Sequence, residues 1–155
     1  MKETSRGGVA EWYHDHLQGN DTYHATVIQP NLLRLLALKE GDTVADIACG
    51  EGYFSREFHK AGAKVTGVDV SSELIALARK HSPKDITFEV APADGLGFLP
   101  AKTFSHATLI LAIQNIAEVK ENGVHADVIA LLRREASGGE PRASSATLAT
   151  ARLAA

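Results

Sequence analysis

Short apolar runs alternate with helical text through the middle of the chain. "TVADIA" (43–48), "KVTGVDV" (64–70), "ITFEVA" (86–91) and "FSHATLILAI" (104–113) read as strands, the last apolar on both faces. Between them, "GYFSREFHKAG" and "SSELIALARKHS" read as helices. Gly62 closes the first; Ser71 or Ser72 caps the second, with Glu73 in its first turn. Strand and helix in repetition, with strands this apolar, predict a parallel sheet covered by helices, an α/β fold. Upstream, "PNLLRLLAL" predicts a helix with Pro30 in its first turn and an apolar face of Leu32, Leu33, Leu35 and Leu36. "KEGD" (39–42) is a turn, and "GVHADVIALLRREA" predicts a helix after the fourth strand.

The chain has 155 residues, enough for one domain with a real core. Its formal net charge of −3 argues against a general nucleic-acid or anionic-membrane surface, because both need clustered Lys and Arg. The single cysteine, Cys49, excludes an internal disulfide. "MKETSRGGVAEW" has no apolar signal region, and no apolar stretch reaches membrane-spanning length. A cytoplasmic protein is expected. Residues 1–25 read as an N-terminal, lid-like segment, 26–135 as the domain, and 136–155 as an Ala/Ser-rich tail of different character.

The loop "DIACGEG" after the first strand belongs to the ligand, because open α/β sheets bind ligands beyond the carboxyl ends of their strands. Gly50 and Gly52 let the backbone bend tightly and approach a ligand. A dinucleotide loop needs G-x-G-x-x-G, and the fit is poor: counting from Gly50 the third position is Ser55, and from Ala48 it is Tyr53. Asp46, ending the strand, suits a ligand that carries positive charge nearby. Asp69 ends the second strand, where a carboxylate can accept two hydrogen bonds from a ribose diol, as in NAD sites and adenosine-methionine sites alike. Asp94, after the third strand, can accept from an adenine amino group.

"VADIACGEGYFS", "VTGVDVSSELIALAR" and "APADGLGFLPAKTFSHATLILAIQNI" together resemble the successive motifs of class I S-adenosylmethionine (SAM)-dependent methyltransferases, over about residues 26–120. The resemblance implies a Rossmann-like sheet and a cofactor site at Asp46, Ala48, Cys49, Gly50, Gly52, Asp69, Val70, Ala93, Asp94 and Leu111. Asp46, Gly50 and the loop would line the methionine part, Asp69 would hold the ribose, and Ala93 and Asp94 the adenine. Leu111 to Gln114 would pass near the methionine amine. Ala48 stands where the family usually has glycine, and Ser105 where it usually has an acid. The family fold has seven strands in the order 3-2-1-4-5-7-6. Convincing text exists here for four of them, so the last strands are expected to be missing, the chain being truncated or altered after about residue 120.

Methyl transfer to a small-molecule acceptor follows as the expected function, with no nucleic-acid or membrane partner. Two alternatives stand beside it: a non-catalytic, truncated SAM-binding fragment, and an NAD-binding domain. No residue presents itself as a general base; Tyr23, His24, Gln114 and Asn115 are polar candidates near the site. Cys49 lies near a helix N-terminus, where a thiol pKa falls, yet transfer from a sulfonium needs no thiol. "HDH" (14–16) reads as a solvated lid segment rather than a metal site. Trp12, Tyr13 and Tyr23 fit either a lid or packing on the first helix. His106 reads as a packed strand residue. The tail, "PRASSATLATARLAA", predicts no strand beside the fourth. Its open edge is then expected to recruit a second copy, giving a homo-oligomer.

Overall fold

The computed structural model describes Trp12, Asp15, Gly19, residues 22–110, Ala112, Ala146 and Thr147. The helix expected after the fourth strand lies outside these residues, as do Tyr13, His14, His16, Leu111, Gln114 and Asn115.

A wide π-helical turn, His24–Ile28, leads directly into α1 (Gln29–Leu36), with Pro30 in its first turn as its fixed φ favours. β1 (Thr43–Ile47), α2 (Tyr53–Lys60), β2 (Lys64–Asp69), α3 (Ser72–His81), β3 (Thr87–Val90) and β4 (His106–Leu109) follow in the predicted order. Ser71 caps α3, its hydroxyl accepting from the Leu74 N–H at 3.3 Å. Gly62 ends α2 at φ 93°, a backbone conformation costly for any residue with a Cβ.

All strands pair in parallel, and the sheet order is β3-β2-β1-β4-β5. Side chains alternate across it, as the period of two requires. One face carries Ala45, Ile47, Val68, Ala107 and Leu109, covered by Leu96, Leu99 and Phe104 from the segment between β3 and β4. The other carries Val44, Val65 and Phe88 against Leu32 and Leu36 of α1, Phe58 of α2, and Ile75 and Ala78 of α3. α2 and α3 share this face because both right-handed crossovers from β1 to β3 run in the same direction.

β5 (Ala146–Thr147) corrects one expectation. It pairs with the outer edge of β4, Ala146 opposite Ala107 and Thr147 opposite Thr108. The sequence predicts no strand there because the tail lacks apolar, β-branched text. Edge pairing, however, is made by backbone N–H and C=O groups, and any residue but proline supplies both. β5 also occupies, at these two positions, the edge on which a second copy was expected. The order matches the first five strands of the seven-stranded arrangement; the further strands are not among the described residues.

Candidate functional site

The carboxyl ends of β1, β2 and β3 and the loops that follow them form one edge of the sheet. The loop after β1 is built on left-handed residues: Ala48 at φ 56°, Gly50 at 58° and Gly52 at 83°. Its turn is closed by the Gly52 N–H on the Cys49 carbonyl at 3.0 Å, and it is tied to β2 by the Cys49 N–H on the Val68 carbonyl at 2.9 Å. The two glycines do different work. A Cβ on Gly50 would meet nothing within 4 Å, so this residue faces open space. A Cβ on Gly52 would lie 2.9 Å from the Phe88 ring and 3.2 Å from Ala78, so its missing side chain is room taken by the core.

Asp69, ending β2, is 9% exposed. Its Oδ2 accepts from the Gly50 N–H at 2.8 Å, and its Oδ1 from the Ser71 N–H at 2.9 Å. A carboxylate offers about four lone-pair directions, and these two bonds use one on each oxygen. Val70, the next residue, is a 71% exposed apolar side chain beside that carboxylate. Past β3, the turn holding Ala93 and Asp94 is closed by the Gly95 N–H on the Pro92 carbonyl at 3.0 Å. Ala93 packs on the core, while Asp94 is exposed. Gly50 and Asp69 are thus joined directly.

Asp46 is only 2% exposed. Ser55, in the first turn of α2, donates to its Oδ2 at 2.6 Å, and Thr108 of β4 to its Oδ1 at 2.9 Å. Burial raises its pKa to about 6; the two hydroxyls pull it down, and the Asp69 charge pushes it up. Cys49 departs from expectation. Burial, together with Asp46 and Asp69, pushes its thiol well above the ordinary value, outweighing the helix N-terminus. Ser105 and His106 sit at the opposite end of β4: the Ser105 hydroxyl donates to the Thr43 carbonyl at 2.9 Å and lies 2.9 Å from His106 Nδ1.

Several participants escape sequence reasoning. Glu51, between the two glycines, is buried and paired with Arg56, whose Nη2 reaches both carboxylate oxygens at 2.9 and 2.8 Å. Arg56 Nη1 also donates to the Glu51 carbonyl at 2.8 Å, stapling the loop from α2. The signal was present as an acid inside the glycine loop with an arginine one turn into the helix. Beside the loop, the Tyr53 hydroxyl donates to Gln29 Oε1 at 2.9 Å, and Gln29 Nε2 donates to Glu57 at 2.6 Å. The His24 ring packs 5.9 Å from Phe54 and 6.1 Å from Tyr53, measured between centroids. Trp12 and Tyr23 are exposed. Among the described residues, no cluster of metal-ligating side chains occurs, and no helix is long and apolar enough to cross a membrane.

Residues 44–135 match the family described as a methyltransferase domain. The chain is 37% identical over 68 residues to a ubiquinone biosynthesis O-methyltransferase of Actinobacillus pleuropneumoniae, covering 43% of this chain and 29% of that protein. It is 28% identical over 89 residues to a demethylmenaquinone methyltransferase of Tropheryma whipplei, covering 56% of this chain and 36% of that protein. Among solved structures, an S-adenosylmethionine-dependent methyltransferase from Mesorhizobium loti superposes with a TM-score of 0.62 at 31% identity, covering 74% of this chain and 50% of that one. The chain spans about a third of the length of these curated relatives.

Proposed function

The chain belongs to the methyltransferase-domain family, and on that premise we propose that the ends of β1, β2 and β3 bind SAM and that its methyl group passes to a small-molecule acceptor. The observation that carries this reading is the Asp69 carboxylate, held at the end of β2 by the Gly50 and Ser71 N–H groups. Two backbone donors fix its orientation before any ligand arrives, and its remaining lone pairs suit a ribose diol. The open face of Gly50 leaves room for a ligand against the loop. These features fit the cofactor.

Within this reading, the loop from Ala48 to Gly52, with Cys49 and Gly50, borders the methionine part. Val70 offers apolar surface to the adenine face, and Ala93 and Asp94 border its edge. Leu111 is assigned to the methionine side, as the resemblance implies. When bound, SAM supplies a sulfonium methyl group that already carries a good leaving group. The protein's task is then to bind, orient and exclude water rather than to activate. A base is needed only for an acceptor that holds its proton at neutral pH. The relatives' names, ubiquinone biosynthesis and demethylmenaquinone methyltransferases, favour a small organic acceptor. So does a net charge of −3, which disfavours nucleic acid.

Calorimetric titration with SAM, its demethylated product S-adenosylhomocysteine (SAH) and NAD tests the reading. SAM and SAH should bind and NAD negligibly, since Tyr53 and Ser55 do not reproduce a dinucleotide loop. NAD binding as tight as SAH, or tighter, would reverse the ranking.

A further inference from the structure

Asp46 lies beneath the loop rather than in it. Its two oxygens are each taken by one hydroxyl, Ser55 from α2 and Thr108 from β4. Asp46 and Thr108 are register partners on neighbouring strands, so their side chains share a face. Fixing Asp46 to Ser55 closes residues 47–54 into a loop of set span, and this loop contains Gly50, whose N–H meets Asp69. The Ser55 contact, at 2.6 Å, is at the short end for a hydroxyl on a carboxyl group, and the Thr108 contact, at 2.9 Å, is longer. Two hydroxyls donating to one group is an arrangement for an anion. A protonated Asp46 would have to place a proton of its own, and the hydroxyl on that oxygen would meet a weaker acceptor.

We infer that Asp46 is a positioning residue: its ionised carboxylate, acting through Ser55 and Thr108, holds the β1 loop in the shape that receives the cofactor, without touching the cofactor. This rests on the SAM site proposed above. The titratable groups coupled to Asp46 are Asp69 on β2 and Cys49 in the loop, and Cys49 also feels Glu51. Glu51 is engaged by Arg56 of α2, and on β4 His106 is at the far end of the strand. Burial raises the Asp46 midpoint to about 6.

The test combines SAH titrations from pH 5 to pH 8 with the Gly50 amide NMR shift of ligand-free protein over the same range. In the wild type, SAH affinity should fall about tenfold from pH 8 to pH 5, because only the ionised fraction is competent. The Gly50 amide should move with the same midpoint. Asp46→Asn should flatten both profiles and weaken SAH at pH 8 by about tenfold or more. Thr108→Val, which removes one donor and keeps the carboxylate, should shift both midpoints upward and decides the matter if Asp46→Asn fails to fold. An Asp46→Asn protein with wild-type affinity and an unchanged pH profile would overturn the inference, as would a Gly50 amide that does not titrate near pH 6. Absence of SAH binding at every pH would instead refute the SAM site, and the Gly50 amide would still decide whether Asp46 sets the loop.

Discussion

The Gly50 N–H donates to Asp69 Oδ2 at 2.8 Å, joining the loop after β1 to the end of β2. One bond therefore links the two sequence features that most suggest a ligand. Glycine at 50 serves the approach, and the acid at 69 serves both the loop and the proposed ribose. Changes at either position should be felt at the other.

The left-handed residues of the loop should separate by role. Gly52→Ala forces a methyl group toward Phe88 and should destabilise by about 2–4 kcal/mol. Gly50→Ala meets no neighbour and should cost about 1–2 kcal/mol of stability, yet weaken SAH, because its methyl group points into open space at the site. Ala48→Gly relieves a non-glycine φ of 56° and should stabilise by about 0.5–1 kcal/mol after the added chain entropy is subtracted. Chemical denaturation of the three variants checks this order.

Arg56→Met should be among the most damaging single changes. It takes the Arg56 guanidinium away from the buried Glu51 carboxylate, which keeps its other contacts. Losing hydrogen bonds to a charged group costs about 1.5–3 kcal/mol. The double variant Arg56→Met/Glu51→Gln should recover part of it, measured by the same denaturation.

Asp46 should imprint a pH dependence on stability. Its folded-state pKa, raised from 3.8 to about 6, exceeds the unfolded value, so between these pH values the folded state holds a proton that the unfolded state releases. This contribution is fully present below pH 3.8 and is lost as pH rises through about 6. The difference is about 3 kcal/mol. Subtracting the stability profile of Asp46→Asn from that of the wild type should show a decline of this sign and size.

Cys49 should resist alkylation. Its half-buried thiol, pushed up by burial and by Asp46 and Asp69, has little thiolate at pH 8. Iodoacetamide should label it slowly in the native state and rapidly in denaturant; equal rates would show an accessible thiolate.

Much of this was legible in the sequence because it is local. The strand text up to Asp69, the Ser71 cap and the Gly62 stop each follow from residues a few positions apart. The Asp46–Thr108 bond joins residues 62 apart in the chain, and no local pattern announces it. Glu51 and Arg56 are close in sequence, but it takes the turn through Gly50 and Gly52 to direct the acid inward to its partner. The direction of the Cys49 thiol shift was not legible because a helix N-terminus is visible in sequence, whereas neighbouring carboxylates and burial are not. β5 was missed because Ala146 and Thr147 contribute backbone pairing, which leaves no apolar signature.

The most direct test is SAH affinity of the wild type beside Asp69→Ala, by calorimetry at pH 8. The wild type should bind, and the variant should lose about 1.5–3 kcal/mol, the scale of hydrogen bonds to a charged group. Equal affinity of the two proteins for SAH would contradict the assignment of Asp69 to the ribose, and with it the cofactor site at the ends of β1 and β2.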